Sequence, residues 1–288
     1  MYFRYQCSNG FNFLNSGVCY SIVVALVVTY TLVYIYKCNA PNLGQPLRWD
    51  CSSNNLQLNQ INQTKVFLGI FSTRDKLMRR EMIRETYLQH RPDNMEYKFI
   101  IVAQDTLELQ EEISTYDDIL LVKMEKENMN AGKTYEFFKM MAGLKRYSDF
   151  DFVLKADDDA YLHLDRIQFD LAHTNRNMSY WGYLVGNTFM AGQCYGLSMD
   201  LVKWVANSTL TQKYKAGHED SQVQKWFLWS NINDQIRYEV RNCRIHDHIN
   251  SGSVYAKDID INSSMVVHHL KKDHFFMRTH FDLSPTYR

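Results

Sequence analysis

Several kinds of residue are scarce or balanced in this sequence, and each such feature excludes a class of protein. Only 12 Gly and 4 Pro occur among 288 residues, which excludes collagen-like and low-complexity chains. The 32 Lys and Arg are matched by 32 Asp and Glu, so the chain has no global positive field for binding nucleic acid. The 6 Cys form no CxxC or Cys/His spacing typical of a metal site. By contrast, 14% of the residues are aromatic, which excludes a mainly disordered chain.

Charge is absent from one stretch near the N-terminus. No Asp, Glu, Lys or Arg lies between Arg4 and Lys37, and residues 17–36 are mainly Val, Ile, Leu and Tyr. A helix of that length spans about 30 Å, the thickness of the hydrocarbon core of a bilayer. We therefore predict a transmembrane signal-anchor helix at 17–36 after a cytoplasmic tail at 1–16. A cleaved signal peptide fits less well, because no small-residue cleavage site is evident.

The segment 37–64 is rich in Asn, Gln and Ser and shows no sustained periodicity. This composition predicts a stem or linker. Sequons at Asn62, Asn177, Asn207 and Asn262 would accept glycans if the C-terminal part of the chain is lumenal. In such an oxidising compartment cysteines can pair, in combinations that the sequence does not specify.

The remaining residues, 65–288, alternate between apolar runs and segments with apolar residues at helical spacing. The predicted strands are 65–71, 97–103, 119–124, 150–156 and 180–185, and the predicted helices are 77–88, 107–116, 134–147, 198–207 and 221–229. This alternation is typical of βαβ units, so we expect an α/β domain whose mainly parallel sheet carries helices on both faces. Such sheets bind ligands at the carboxyl ends of their strands, where candidate site residues are to be sought.

Three consecutive carboxylates follow one predicted strand. Asp157, Asp158 and Asp159 come directly after the apolar run 150–156. Crowded carboxylates repel one another unless a cation or solvent compensates, and their oxygens suit Mg²⁺ or Mn²⁺. A solvated acidic turn is the alternative, but the position at a strand end favours a metal site.

Two further groups are candidate site residues, and each has a structural alternative. Glu219 and Asp220 precede an apolar segment. They either start a helix, because carboxylates favour its N-terminus, or supply a general base. His268 and His269 follow an apolar run, and one of them can join carboxylates around a divalent ion or serve a structural role.

Basic residues suggest a phosphate-binding surface. Arg80 and Arg84 lie one helical turn apart, close to Arg79, and guanidinium groups bind phosphate well. A salt-bridged surface helix is the alternative, since Glu residues follow both Arg80 and Arg84. Lys133 belongs to a Gly-Lys-Thr triplet, but the upstream glycine of a phosphate-binding loop is missing, which argues against a nucleoside triphosphatase.

Six blocks occur in an order that carries further information. They are FLGIFSTRDKLMRREMIRETYL, YDDILLVKMEKENMNAGKTYEFFK, VLKADDDAYLHLD, FMAGQCYGLSMDLVKWV, GHEDSQVQKWF and VVHHLK. Together they resemble the β-1,3-galactosyltransferase family (glycosyltransferase family 31), along nearly all of 65–288. The sequence departs from the family at Tyr87, where Trp is usual, and at Cys194, where many relatives have Gly.

The resemblance implies an A-type glycosyltransferase fold for a lumenal domain at 65–288, on a single-pass type II anchor in the Golgi membrane. It implies a UDP-sugar donor bound through Mn²⁺, with Asp159 and His268 as ligands. Asp157 or Asp158 would support Asp159, and His269 is the alternative imidazole. Residues expected near the nucleotide are Arg79, Arg80, Arg84, Lys133, Asp157 and Asp158.

By the same resemblance, Asp220 matches the catalytic base of an inverting reaction. The predicted activity is transfer of a hexose, as galactose or N-acetylhexosamine in β-1,3 linkage, to a glycan hydroxyl on protein or lipid. A membrane-anchored glycan-binding relative that has lost transfer is the second hypothesis. A metal-dependent phosphohydrolase is the third, and it would need ligands for a second metal.

Overall fold

The computed structural model describes residues 64–103 and 106–284, together with the backbone of 48–49. The predicted tail at 1–16 and anchor helix at 17–36 lie outside the described residues, as does most of the predicted stem at 37–64. Within the described part of the chain, no helix has the length and apolar character needed to cross a membrane. The tail, anchor and stem stay predictions.

The described residues form two sheets. The strands are β1 (Arg48–Trp49), β2 (Val66–Phe71), β3 (Met95–Val102), β4 (Ile119–Val122), β5 (Phe152–Asp157), β6 (Tyr161–Leu162), β7 (Ser179–Val185), β8 (Phe189–Ser198), β9 (Arg237–Val240), β10 (Ile245–His248), β11 (Ala256–Lys257) and β12 (Val266–His268). The larger sheet has the order β1-β9-β7-β8-β5-β2-β3-β4, and the smaller one has the order β11-β10-β12-β6. Of the eight strands in the larger sheet, β8 alone runs antiparallel to both neighbours.

Helices cover both faces of the larger sheet. They are α1 (Leu77–Glu85), α2 (Leu107–Tyr116), α3 (Lys133–Gly143), α4 (Leu164–Ala172), α5 (Met199–Asn207), α6 (Thr209–Lys213), α7 (Glu219–Trp229) and α8 (Asp273–Leu283). One apolar cluster contains residues of α1, α4 and α8, and a second contains residues of α3, α5 and α7. Alternate residues of β5 belong to the two clusters, as the pleat of a strand buried on both faces requires. The predicted α/β fold with a mainly parallel sheet and helices on both faces is confirmed.

Three elements that matter for the site were not predicted in this form. β8 contains Gly192 and Gly196, which weaken strand propensity and hid it from a pattern search. α7 begins at Glu219, two residues earlier than predicted, so Glu219 and Asp220 lie in its first turn. The smaller sheet pairs β12 with β6 in antiparallel register, with Val267 opposite Tyr161.

Candidate active site

The carboxyl end of β5 positions the acidic motif. β5 ends at Asp157, opposite the last residue of β2, and a turn then carries Asp158 and Asp159 towards β6. The pairing of β6 with β12 brings the end of β12, at His268, to this turn. The amide of Leu270 donates to the carbonyl of Asp159 at 2.9 Å and fixes the two segments together. Strand pairing therefore brings together residues that lie more than a hundred positions apart in the sequence.

Asp157, Asp159 and His268 form a cluster suited to a divalent ion. Their ligand atoms all lie within 4.8 Å of one another. Nε2 of His268 lies 3.2 Å from Oδ1 of Asp159 and 3.9 Å from Oδ2 of Asp157. Nδ1 of His268 is hydrogen-bonded to Oδ1 of Asp247 at 2.8 Å, which orients the ring. Two carboxylates and an imidazole held by a further carboxylate fit the preferences of Mn²⁺. Asp247 carries no local sequence signal of this role and was not predicted.

The charges of this cluster are strongly coupled. Burial lowers the pKa of His268, but hydrogen bonds to Asp159 and Asp247 outweigh it and raise this pKa to about 9. Burial raises the pKa of Asp159, yet the same hydrogen bond from His268 brings it down to about 2. The pKa of Asp157 is raised by burial, against the opposing charge of Lys155. Negative charge is thus concentrated where a cation would be stabilised.

A buried lysine connects the acidic motif with α7. Lys155 has no exposed surface, and its Nζ donates to Oδ1 of Asp157 at 2.7 Å. It also donates to the carbonyl of Gly192 at 2.6 Å and to Oε2 of Glu219 at 3.0 Å. No role was predicted for Lys155, because the local sequence around a lysine in an apolar strand does not reveal its partners.

The two carboxylates in the first turn of α7, Glu219 and Asp220, have different surroundings. Oε1 of Glu219 accepts hydrogen bonds from Thr134 at 3.0 Å and Tyr195 at 3.1 Å, and burial raises the pKa of Glu219 to about 7. Asp220 is half-buried. Its Oδ1 lies 2.0 Å from the position that a Cβ on Gly192 would occupy. Glu219 is therefore enclosed by protein partners, whereas Asp220 retains exposed surface, and Lys155 connects this turn to Asp157.

The geometry does not support the prediction that Arg80 and Arg84 bind the nucleotide. Arg80 is fully buried, and its five N–H donors are matched by five hydrogen bonds, two to Glu112 and three to the loop 72–74. Arg84 shares Glu112 with Arg80 and also binds Asp118, so these four residues form one buried ion-pair network. A nucleotide phosphate would have to displace a buried carboxylate. Helical spacing could not reveal these partners, because they lie 28 to 34 residues away along the chain.

Arg79 on α1 and Asp158 in the acidic motif already have protein partners. Nη2 of Arg79 donates to Oδ1 of Asp273 at 2.8 Å, and the guanidinium lies 5.0 Å from the centre of the Phe276 ring. Oδ1 of Asp158 is paired with Lys76 at 2.7 Å. Nη1 of Arg79 and Oδ2 of Asp158 are buried without a partner. A nucleotide-binding role for these two residues stays a prediction.

Lys133 lies beneath an open cleft. Its Nζ is buried and donates to Oε1 of Glu127 at 2.7 Å and to the carbonyl of Ser72 at 2.8 Å. The cleft has a volume of about 510 Å³ and is lined by Thr73, Arg74, Asp75, Val102 and Glu127. Lys133 therefore reaches the cleft only through Glu127 and the loop after β2.

Cys194, the departure from the family pattern, has no exposed surface. It is a free thiol on β8, opposite Ala156, in the same apolar cluster as Tyr161 and Trp181. Burial raises the pKa of this thiol to about 12, so it stays protonated. Cys194 packs in the core and does not line the cleft.

The ion-pair network predicts that Glu112→Gln costs about 3–5 kcal/mol of stability, because it leaves two buried guanidinium groups undercompensated. Hydrogen bonds from Arg80 and Arg84 lower the pKa of Glu112 despite its burial, so its contribution is present above the unfolded pKa of about 4.5 and is lost as the pH falls. Urea unfolding at pH 7 and pH 4 measures both effects, and the exposed Glu111→Gln on the same helix is the control. If Glu112→Gln left stability unchanged but weakened nucleotide binding, the result would favour direct contact of Arg80 and Arg84 with the nucleotide.

Comparison with known proteins shows which proteins this chain is similar to. A model described as Galactosyltransferase matches residues 78–188. Probable beta-1,3-galactosyltransferase 13 of Arabidopsis thaliana is 27% identical over 237 residues, and the match covers 68% of this chain and 68% of that protein. Residues 78–188 thus match the galactosyltransferase family, and the chain is similar to β-1,3-galactosyltransferases. UDP-GalNAc:beta-1,3-N-acetylgalactosaminyltransferase 2 of Xenopus tropicalis is 25% identical over 175 residues, covering 53% of this chain and 34% of that protein.

These matches cover the family's chains only in part. The matched part of this chain spans about a third of the Xenopus protein. The family model covers the acidic motif but neither Asp220 nor His268, so the roles of those two residues stay predictions. The solved mannosyltransferase of Pyrobaculum calidifontis, in complex with GDP-Man and Mn²⁺, is 12% identical with a TM-score of 0.44, covering 76% of this chain and 65% of that one. A likeness at that level carries no argument about function.

Proposed function

We propose that this chain is an inverting, UDP-sugar-dependent hexosyltransferase with an A-type glycosyltransferase fold. The observation that supports it most is that Lys155 connects two half-sites. One is the candidate ion cluster of Asp157, Asp159 and His268, and the other is the first turn of α7 with Glu219 and Asp220. Asp157, bonded to Lys155, belongs to the candidate ion cluster, while Glu219, also bonded to Lys155, precedes Asp220. A nucleotide-sugar transferase needs both a charge-neutralising site for its leaving group and a base for the acceptor.

In this proposal the two half-sites have different tasks. Asp159 and His268, with Asp157 beside them, would hold Mn²⁺, which when bound neutralises the charge that develops on the departing UDP. Asp220 takes the proton from the acceptor hydroxyl, whose oxygen attacks the anomeric carbon from the side opposite the leaving group. Glu219 is enclosed by Thr134, Tyr195 and Lys155 and fixes the first turn of α7.

The cleft after β2 is the proposed place for the donor nucleoside. It lies at the carboxyl end of the parallel strands, where open α/β sheets bind ligands. The loop 73–75 forms one wall of the cleft, and Arg80 donates hydrogen bonds to the carbonyls of Thr73 and Arg74. These bonds order the loop backbone before a ligand binds. Arg80 would thus act on donor binding through the loop rather than by direct contact.

The donor sugar, acceptor and location belong to the same proposal. The named relatives transfer galactose or N-acetylgalactosamine in β-1,3 linkage, which supports a galactose or N-acetylhexosamine donor here. The acceptor would be a glycan hydroxyl on protein or lipid. The uncharged segment 17–36 supports a single-pass type II protein of the Golgi membrane.

The test is an assay of the full-length, detergent-solubilised chain with a panel of UDP-hexoses and glycan acceptors, with and without Mn²⁺. We expect Mn²⁺-dependent release of UDP together with a glycoside of inverted anomeric configuration, and loss of both in Asp159→Asn. Retained glycan binding with no turnover of any UDP-hexose would favour the inactive glycan-binding relative. Hydrolysis of phosphate esters without sugar transfer would favour the phosphohydrolase.

A further inference from the structure

We propose that Lys155 is a positioning residue that holds the base Asp220 in register with the ion-binding half of the site. It does so by joining the end of β5, the start of β8 and the first turn of α7. This role rests on the proposed function, and it belongs to a residue that no sequence pattern singles out.

The contacts of Lys155 use all that an ammonium group offers. Three N–H donors face three acceptors on three separate elements: Oδ1 of Asp157, the carbonyl of Gly192 and Oε2 of Glu219. The last two acceptors lie 37 and 64 residues further along the chain. Each element carries part of the proposed site, so a single atom, Nζ, fixes the relative placement of all three.

Burial of this lysine is costly, which argues that its charge has a specific use. Removing an ammonium group from water is costly, and the cost is offset only where carboxylates and other acceptors surround the group. Nζ also lies 5.4 and 5.8 Å from the ring centres of Phe71 and Tyr195, whose faces attract a cation. Asp157 and Glu219 supply the compensating carboxylates, at 2.7 and 3.0 Å from Nζ.

Lys155 acts on Asp220 through two neighbours. Gly192, whose carbonyl Lys155 holds, lies directly against the Asp220 carboxylate, and a Cβ there would also be 2.8 Å from Oε2 of Glu219. Lys155 therefore fixes both the backbone that Asp220 packs on and the carboxylate that precedes it. Without the ammonium charge, Asp157, Glu219 and Asp220 would repel one another, and the first turn of α7 would shift.

The test compares Lys155→Met with Arg241→Met in the full chain. Arg241 is an equally buried cation bound to Asp170 and Glu239, and it has no place in the proposed site. Both variants should lose a similar amount of thermal stability. Lys155→Met should lower kcat about 100-fold with less than about a threefold change in donor KM, because a displaced base slows chemistry rather than binding. Arg241→Met should change kcat by less than about threefold.

Hydrogen exchange provides a readout that does not depend on activity. The amides of Glu219 and Gln222 donate to Asn130 and His218 and are the protected ones in this turn. In Lys155→Met these two amides should exchange at least about tenfold faster, whereas Arg241→Met should leave them unchanged. If Lys155→Met proves too unstable, Lys155→Met combined with Glu219→Gln removes the unpaired carboxylate and should restore stability but not kcat. Equal exchange in the Lys155 and Arg241 variants, or equal kcat, would overturn the proposal. An inactive wild-type chain with the expected exchange pattern would instead refute only the proposed function.

Discussion

Asp220→Asn is expected to lower kcat for sugar transfer by about a thousandfold and to leave Mn²⁺-dependent UDP binding intact. Asparagine keeps the shape of the side chain but accepts no proton at neutral pH, and general base catalysis accounts for about 10²–10⁴-fold in rate. Asp220 lies in the first turn of α7 and is not one of the residues of the ion cluster formed by Asp157, Asp159 and His268. The ion-binding half of the site should therefore survive the substitution.

The measurement separates the two halves of the site. Initial rates of transfer give kcat, and isothermal titration with UDP in the presence of Mn²⁺ gives donor binding. Glu219→Gln is the matched variant, since it makes the same chemical change one residue earlier. It should destabilise the chain, because Lys155 loses a buried partner, and lower kcat less than Asp220→Asn does. If Asp220→Asn abolishes UDP binding as well, the base assignment is wrong.

The parts of the site that follow local rules could be predicted from sequence. The strand that ends at Asp157 is mainly apolar apart from Lys155, and the rule that ligands bind at strand ends pointed to the carboxylates at its end. The helix that carries Glu219 and Asp220 was predicted as well, although it begins two residues earlier than expected. In both places a signal within about ten residues determines the local structure.

The parts that depend on long-range pairing could not be predicted in this way. Asp247 reaches His268 only because β10 and β12 are parallel neighbours in the smaller sheet, with those two residues in register. Arg80 was predicted to lie near the phosphates because its partner Glu112 lies on another helix, so the local sequence does not show that the guanidinium is already paired. Lys155 carries no pattern at all, since its acceptors come from three elements that meet only after folding.

Gly192→Ala is expected to lower kcat about 100-fold and to cost about 1–3 kcal/mol of stability, because the added Cβ overlaps the side chains of Asp220 and Glu219. A Cβ at this position would lie 2.0 Å from Oδ1 of Asp220, well inside any real contact distance. Because an aspartate side chain is short, its carboxylate can make room only by rotating away, and misplacement by about 1 Å costs about 10²-fold in rate. Gly143→Ala is the matched control, because a Cβ there meets no atom within 4 Å. A rate for Gly192→Ala equal to that of the control would show that the Asp220 carboxylate is not held against β8.

The double variant decides whether Gly192 acts through Asp220 or elsewhere. If the added methyl group slows transfer by displacing the base, then adding Gly192→Ala to Asp220→Asn should cost less than about threefold more, because the displaced group is already missing. Residues that act as one unit are non-additive in this sense. A full further 100-fold loss would mean that the methyl group blocks the acceptor directly. In that outcome the space above Gly192, rather than the position of Asp220, would set the access of the acceptor hydroxyl.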